Sequence, residues 1–317
     1  MKNLLIYYAY TNSFNYPENS WNNERVAQDM AKYGLIVLGE DIEDPGHADH
    51  ANACIIINRL KEIKPNILIF GYVTVAQDYS DFKLKASRWN DMGVHGIFMD
   101  EAGYDYGKTR AELNERLIYV HSQSSAKLAF LNAWKQKYIM GIENDASYPN
   151  STYNPDLVQS VINEDDWVLL ESFPVNTISY NATGQDGVMD KETFDTRVEN
   201  IMELREQFTF NLACSSMIKT TWEDGQELAD FAMTAAMMVC ADAFGIAGER
   251  YSASGDDNAK AKFWTPISMT FPGNLYEDNC MIDWDVNDTD IAFKHLMWAK
   301  LWLDFSDGAK TSGVEEY

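Results

Sequence analysis

The chain lacks any long apolar run. No stretch approaches the roughly 18 consecutive apolar residues that a membrane-spanning helix needs. The first residues, MKNLLIYYAYTN, have an apolar part that is too short for a secretory signal peptide, and polar residues follow at once. We therefore expect a soluble protein that is cytoplasmic or associated with a virus particle, or one that is secreted with its leader removed.

Positive charge is also scarce. The sequence has 25 lysines and arginines against 49 aspartates and glutamates, and its formal net charge at pH 7 is −24. Such a surface repels phosphate backbones and anionic lipid. The composition therefore disfavours nucleic acid and membrane surfaces as partners and favours a neutral or cationic one, while the oligomeric state stays open.

Motifs built on cysteine and glycine are missing as well. The four cysteines form no C-x-x-C pair, which excludes a zinc ribbon and a redox-active pair, and we expect Cys54, Cys214 and Cys240 to be buried free thiols. The turn after the first predicted strand, YAYTNSFNYPENS, has no glycine, so it is not a dinucleotide-binding loop. The sequence therefore predicts no cofactor and no bound metal.

What the sequence does have is an alternation of short apolar segments with longer amphipathic ones. Strands that are apolar on both faces, each followed by a helix, indicate a parallel sheet covered by helices. Eight such units in about 250 residues predict a (β/α)₈ barrel. Because no linker rich in proline, glycine or serine interrupts them, we expect residues 1–317 to form a single domain, with a C-terminal helix at about 290–306 and a short flexible tail. The predicted strands are 4–10, 35–38, 67–73, 94–99, 128–131, 167–170, 208–213 and 244–247, and the predicted helices are 23–33, 49–63, 81–92, 111–122, 155–162, 191–207, 227–241 and 291–305.

The stretch VHGIFMDEAGYDYG ends a predicted strand in two adjacent carboxylates, Asp100 and Glu101, and Glu171 follows the sixth predicted strand in the same way. In a (β/α)₈ barrel the active site is built at the C-terminal ends of the strands. Carboxylates crowded at that rim repel each other, so at least one should hold its proton near neutral pH. A protonated acid beside an ionised one suits the cleavage of a glycosidic bond. Asp100, Glu101 and Glu171 are therefore the predicted catalytic residues.

Aromatic and polar residues at the same predicted rim favour a carbohydrate ligand, because flat rings stack on sugar faces. Each ring taken singly is more often a packing residue, but as a set on one face they predict a sugar-binding groove. Solvation of loops explains the acids Glu40 and Glu249 equally well. The predicted substrate-binding residues are Tyr8, Tyr10, Glu40, Tyr72, Thr74, Tyr104, Asn132, Trp134, Trp222 and Glu249.

Two segments, IFGYVTV and GVHGIFMDE, resemble paired signatures of the spherulin-4-like glycoside hydrolases, which include endo-α-1,4-polygalactosaminidases. Trp89 lies between them, and DDWVLLESF resembles a later strand of that family that ends in a glutamate. The resemblance implies that Asp100 and Glu101 are the family's acidic pair and that Glu171 is its later glutamate. It also implies an endo-glycosidase that hydrolyses an α-1,4-linked, galactosamine-containing polysaccharide, and a cationic amino-sugar polymer would suit the acidic protein.

Two other functions stay open at the level of sequence. One is a barrel that binds carbohydrate or builds a virus particle without turnover, because the residues after Thr74 depart from the family's pattern. The other is a metal-dependent hydrolase or lyase whose oxygen ligands come from Asp100, Glu101, Glu171 and Glu249.

Overall fold

The computed structural model describes residues 1–11, 22–39, 41–142, 153–176, 187–218, 222–247, 291–295, 299–305 and 311–316. Eight parallel strands form one closed barrel in sequence order, with the last strand paired back to the first. This confirms the predicted (β/α)₈ barrel. The strands are β1 (Lys2–Tyr7), β2 (Leu35–Leu38), β3 (Leu68–Thr74), β4 (Gly96–Asp100), β5 (Leu128–Asn132), β6 (Trp167–Leu170), β7 (Asn211–Met217) and β8 (Ala243–Ala247).

Helices lie between successive strands and cover the outside of the barrel. Their apolar faces and the outward faces of the strands form one large buried core. No helix in the described ranges is long and apolar enough to cross a membrane. The helices are α1 (Asn23–Met30), α2 (His50–Ile63), α3 (Tyr79–Asp91), α4 (Arg110–His121), α5 (Lys137–Met140), α6 (Lys191–Gln207) and α7 (Trp222–Met238), with a 3₁₀ helix at Tyr104–Tyr106.

The predicted helix at 155–162 is wrong, and the short α5 is the helix that follows β5. The side chain of Asn154 accepts a hydrogen bond from Val158 N at 2.8 Å. In α4, Asn114 donates to the carbonyl of Gln159 at 2.9 Å and accepts from Val161 N at 3.2 Å. Since side chains bind these backbone groups, the segment has an alternative to helical hydrogen bonding.

A layer of aromatic rings fills the inside of the barrel. Phe130 makes edge-to-face contacts with Phe70, Phe98 and Trp167, at centroid distances of 5.4, 5.0 and 6.1 Å. All four side chains are almost fully buried. These rings close the barrel below its C-terminal mouth, so this end of the barrel is a packed core rather than a channel.

The alternation of side chains along the strands places polar groups directly above this aromatic layer. Successive residues of a strand point to opposite faces, so a residue two positions beyond an inward ring also points inward. Asp100 follows Phe98 in this way and Asn132 follows Phe130, while Glu171 stands two positions after the inward Leu169. Tertiary structure thus collects these three side chains at the mouth.

Gly71 lets a helix approach the barrel wall closely. A Cβ at this position would lie 2.1 Å from Cδ2 of Trp89, which is fully buried in α3. The indole Nε1 of Trp89 donates to the carbonyl of Tyr72 at 3.1 Å. Gly71, in the first of the two sequence segments, and Trp89, which lies between them, therefore allow α3 to pack closely on β3.

The C-terminal region forms a sheet where a helix was predicted at about 290–306. Its strands are β9 (Ile291–His295), β10 (Ala299–Asp304) and β11 (Thr311–Glu316), and they are antiparallel in the order β11-β10-β9. Leu303 and Phe305, two positions apart, are both buried, as strand periodicity requires. Phe305 packs on Phe194 of α6 at 5.0 Å and on Phe231 of α7 at 5.2 Å.

The assignment of residues 1–317 to one domain stays a prediction.

The cysteines differ from the prediction in two cases. Cys54 and Cys214 are free as predicted, and Cys214 is fully buried, but Cys54 is only half-buried. Cys240, however, is disulfide-bonded, so the prediction of a free thiol there is wrong. Cysteine spacing along a chain does not reveal which residues meet in the fold, which explains the error.

Candidate active site

Three neighbouring strands deliver polar side chains that meet inside the mouth of the barrel. Asp100 ends β4, Asn132 ends β5, and Glu171 directly follows β6. The side-chain nitrogen Nδ2 of Asn132 donates to Oδ1 of Asp100 at 2.9 Å and to Oε2 of Glu171 at 3.0 Å. Two of the predicted catalytic acids and one predicted binding residue are therefore joined through a single amide nitrogen.

Asp100 receives two further hydrogen bonds. The hydroxyl of Tyr72 donates to its Oδ2 at 3.0 Å, and the backbone N–H of Glu101 donates to its Oδ1 at 2.9 Å. Within the described part of the chain, Glu171 accepts a side-chain hydrogen bond from Asn132. Since donors stabilise a carboxylate, Asp100 is better equipped than Glu171 to carry a negative charge.

Glu101, the third predicted acid, is held on the β3 side of the mouth. The hydroxyl of Thr74 donates to its Oε2. Thr74 is also the register partner of Asp100 between β3 and β4, which brings it beside the turn that Glu101 makes. Glu101 has a φ of 56°, an uncommon conformation for a residue with a side chain. The backbone N–H of Glu101 therefore donates to Asp100, while its carboxylate accepts from Thr74.

Burial raises the pKa of both bridged carboxyls. Loss of hydration is the largest cause for Asp100, and the hydrogen bonds from Asn132, Glu101 and Tyr72 lower its pKa by less. Loss of hydration also raises the pKa of Glu171, and the charge of Asp100 adds to the effect. Two carboxyls that accept from the same amide nitrogen cannot easily both ionise, so the pair favours a state in which one of them is protonated.

Arg197 of α6 binds the backbone of Glu171 and of the residue that follows it. Its Nη2 donates to the backbone carbonyl of Glu171 at 2.9 Å, and its Nη1 lies 3.4 Å from that of Ser172. Burial lowers the pKa of this guanidinium to about 10, and the side chain remains cationic at neutral pH. Its charge also lowers the pKa of Glu171 in part. Ser172 has a φ of 54°, so Arg197 holds a turn of uncommon backbone conformation.

A cavity of about 600 Å³ adjoins Glu171. It lies between the loop after β5, the segment after β6 and the inner face of α6. This volume falls in the range of small-molecule sites. Its walls include Tyr106, Trp134, Met189, Arg197 and Met217, and Glu171 lies at its surface.

One buried polar atom at the site has no hydrogen-bond partner. Asn132 is 7% exposed, and its Oδ1 is buried without a partner in the described structure. Such unsatisfied atoms are rare in native proteins and require an explanation. A protonated carboxyl or a hydroxyl of a ligand would satisfy this acceptor.

The structure separates the predicted binding tyrosines. Tyr8 is buried in the barrel and packs edge-on against Tyr72 at 5.1 Å. Tyr10 contacts the ring of His47 at 4.7 Å, outside the acid group. Tyr104 is 2% exposed, and its hydroxyl lies 3.2 Å from the donor Nη2 of Arg110, so it is not brought to the mouth. Of these tyrosines, only Tyr72 joins the candidate catalytic group.

The remaining predicted binding residues have different outcomes. Trp134 is 61% exposed and lines the cavity. Trp222 begins α7, but the placement of its side chain lies outside the described structure. Glu40 and Glu249 fall outside the described residues. Arg197 was missed, because one arginine inside the amphipathic stretch of α6 carries no sequence signal that distinguishes it from a surface charge.

No protein-family model and no curated protein matches the chain. Among solved structures, Amy13B of Eubacterium rectale is similar at 10% identity, covering 95% of this chain and 86% of that one, with a TM-score of 0.51. CdNal of Clostridium difficile, solved in complex with mannosamine, has 13% identity, 78% and 70% coverage and a TM-score of 0.40. A dihydrodipicolinate synthase of Agrobacterium tumefaciens has 10% identity, 77% and 69% coverage and a TM-score of 0.41. At these identities the likeness establishes the fold.

The resemblance to spherulin-4-like glycoside hydrolases is wrong. No family model matches the chain, that of these hydrolases included. The predicted hydrolysis of a galactosamine polymer depended on that resemblance and is corrected with it. An acid directly after an apolar strand is expected wherever a (β/α)₈ barrel builds a polar mouth, so the two segments were less specific than they looked.

The metal-dependent alternative is not supported either. Within the described ranges, no group of three or more histidine, cysteine, aspartate or glutamate side chains is placed to hold a metal ion. Asp100 and Glu171 instead face the N–H groups of Asn132. The arrangement that remains is a pair of carboxyls with raised pKa values at the mouth of a (β/α)₈ barrel.

Proposed function

We propose that this protein is an acid–base enzyme, a lyase or isomerase, that moves a proton between carbon and oxygen in a small hydroxy or oxo compound. The observation that carries the proposal is the bridge from Asn132 to Asp100 and Glu171. Carboxyls whose pKa values are raised by burial are characteristic of groups that exchange protons near neutral pH. The C-terminal mouth is where (β/α)₈ barrels carry their active sites.

The hydrogen bonds support a different role for each acid. Asp100 accepts from Asn132, Tyr72 and the backbone of Glu101, so it is the ionised base. Glu171 holds the proton of the pair and is the acid, and it is the member of the pair that lines the cavity. Activity therefore requires Asp100 without a proton and Glu171 with one.

The proposed step balances without any further reactant. Asp100 takes a proton from the carbon next to a carbonyl, and the electron pair of that C–H bond becomes the carbon–carbon double bond of an enol. Glu171 gives its proton to the carbonyl oxygen at the same time. From an α-hydroxy carbonyl compound the product is an enediol; Asp100 returns its proton to the former carbonyl carbon and Glu171 takes the proton of the other hydroxyl, whose oxygen becomes the new carbonyl, which is isomerisation. From a β-hydroxy carbonyl compound, Asp100 gives its proton to the leaving hydroxyl, which departs as water, while Glu171 takes back the enol proton and the carbonyl reforms, which is elimination.

The carbon–hydrogen exchange in this step gives a test that does not require the natural substrate. A panel of aldehydes, ketones, hydroxy acids and oxo acids is incubated with the protein in D₂O, and NMR follows the replacement of C–H by C–D. We expect exchange in at least one member of the panel. Glu171→Gln should slow it by about 100-fold or more, as for loss of a general acid.

Glu62→Gln is the matched control, because the side chain of Glu62 is 66% exposed on α2, pairs with Arg59 and does not line the cavity. This variant should exchange at the wild-type rate. Exchange that is equally fast in Glu171→Gln would contradict the assignment of Glu171, and no exchange anywhere in the panel would contradict the proposed reaction class. The expectation from the net charge, that the protein does not bind nucleic acid or membrane surfaces, stays a prediction.

A further inference from the structure

We propose that the substrate carries an apolar group, and that this group lies in the cavity against Trp134, Met189 and Met217 while the reacting atoms lie at Glu171. The inference rests on the proposed function, since it assigns the space beside the proposed acid. It narrows the substrate from any small hydroxy or oxo compound to one with a polar reacting end and an apolar remainder.

The position of the cavity is the first observation. Glu171 lines it, but Asp100, Tyr72 and Glu101 are not among its lining residues. The space therefore runs from the acid outward, between the loop after β5 and the inner face of α6, and not over the centre of the barrel. With about 600 Å³, it is larger than the few atoms that react, so it must accept another part of the ligand.

The lining of this space combines polar residues with apolar or aromatic ones, which are Tyr106, Trp134, Pro174, Met189 and Met217. Trp134 is 61% exposed, so most of its ring is open to contact with a ligand in the cavity. Met189 and Pro174 are buried residues that line the same cavity, and Met217, which ends β7, lines it as well. Tryptophan offers a large rigid contact area, and methionine adapts its shape to a bound ligand.

Several polar groups that line the cavity already have hydrogen-bond or ion-pair partners within the protein. Asn176 donates to the hydroxyl of Ser172 at 3.2 Å. Lys137 pairs with Glu203 at 2.6 Å, at the edge of the cavity. Arg197 donates to the backbone of the segment after β6. The surfaces left for a ligand are therefore mainly the apolar ones, and an apolar group gains most by lying there.

The test compares two ketones that differ by an apolar group, acetone and benzylacetone. Their dissociation constants for the wild-type protein are measured by calorimetry. Burial of the phenyl group predicts that benzylacetone binds at least about 10-fold more tightly. The variant Trp134→Ala should lose most of this preference, whereas Trp134→Phe should keep most of it.

Ile118→Ala is the matched control, because Ile118 is 59% exposed on α4, away from the lining of the cavity. It should leave the preference unchanged. Equal affinity for the two ketones, no binding of benzylacetone, or a preference that survives in Trp134→Ala would overturn the inference. If the protein prefers benzylacetone but catalyses no C–H exchange in D₂O, the proposed reaction is contradicted and the apolar site is not. Failure of the proposed function can therefore be distinguished from failure of this inference.

Discussion

The side-chain nitrogen of Asn132 lies 3.0 Å from Oε2 of Glu171. Its second N–H is taken by Asp100, so both hydrogens of one amide are used to hold two carboxyls that repel each other when ionised. Removal of this amide would leave the two acids in place but without their shared donor. The bridge therefore sets both the distance between the acids and their tendency to ionise.

Replacement of the bridge should shift the pH dependence of the reaction. Asn132→Leu keeps a side chain of similar size and removes both donors, so the pKa values of Asp100 and Glu171 should rise further. Exchange requires an ionised Asp100 and a protonated Glu171, so both limbs of the rate–pH profile should move to higher pH by about one unit. The profile is measured by NMR in D₂O.

Asn163→Leu serves as the control, because Asn163 is exposed and its side chain contacts His121 rather than Asp100 or Glu171. Its profile should match that of the wild type. A shift of the Asn132→Leu profile to lower pH would refute the role of the bridge as a donor to both acids.

The raised pKa of Glu171 also predicts how stability depends on pH. The native state keeps this proton over a pH range in which the unfolded chain, with a pKa of about 4.3, has already lost it. Stability from this group is therefore present below about pH 4 and is lost as pH rises through the native pKa. Glu171→Gln should raise the melting temperature at pH 8, with a gain of about 1 kcal/mol, and should have little effect at pH 4.

Calorimetric scans at the two pH values measure this difference. The exposed Glu203→Gln should change the melting temperature little at either pH, because an exposed ion pair contributes little. A Glu171→Gln protein that is less stable than wild type at pH 8 would show that the carboxylate is not destabilising there.

The close packing of Gly71 against Trp89 predicts a large effect on folding. In Gly71→Ala the new methyl would lie 2.1 Å from the indole, so the helix must move away from the barrel. We expect a loss of about 2 kcal/mol or more in the free energy of unfolding, measured by urea titration. Gly46→Ala, where the nearest atom is Asp44 Oδ1 at 3.3 Å, should cost less than about 0.5 kcal/mol.

The double variant Gly71→Ala/Trp89→Leu separates steric conflict from other causes. If the methyl and the indole conflict, the double variant should be more stable than the sum of the single effects predicts. Additive effects would place the cost of Gly71→Ala elsewhere.

The barrel and its acids could be predicted because both follow from local patterns. Short runs that are apolar on both faces, each followed by an amphipathic segment, restrict the chain to few architectures. An acid that ends such a run, as Asp100 does, must then lie at the mouth. The C-terminal sheet was not predictable in this way, because the apolar residues of 291–305 suit either a helix or strands until Phe305 meets Phe194 and Phe231.

The contacts of Asn132 and Arg197 with the acid pair could not be predicted from the sequence, because they depend on the three-dimensional fold. Asn132 was predicted to bind a substrate, but its position between two acids depends on the register of β4, β5 and β6. Arg197 reaches Glu171 from a helix 26 positions later in the chain, and no spacing rule links an arginine in α6 to the end of β6.

Arg197 should act on the reaction through Glu171, and two substitutions distinguish its charge from its hydrogen bonds. Arg197→Gln removes the positive charge that lowers the pKa of Glu171, so the alkaline limb of the exchange profile should move to higher pH. Arg197→Lys keeps the charge but not the paired donors to the backbone of Glu171 and Ser172, so the limb should stay while the rate falls by about 10-fold. Arg59→Gln, at an exposed pair with Glu24, should change neither quantity. A profile that does not move in Arg197→Gln would leave Arg197 with a packing role only.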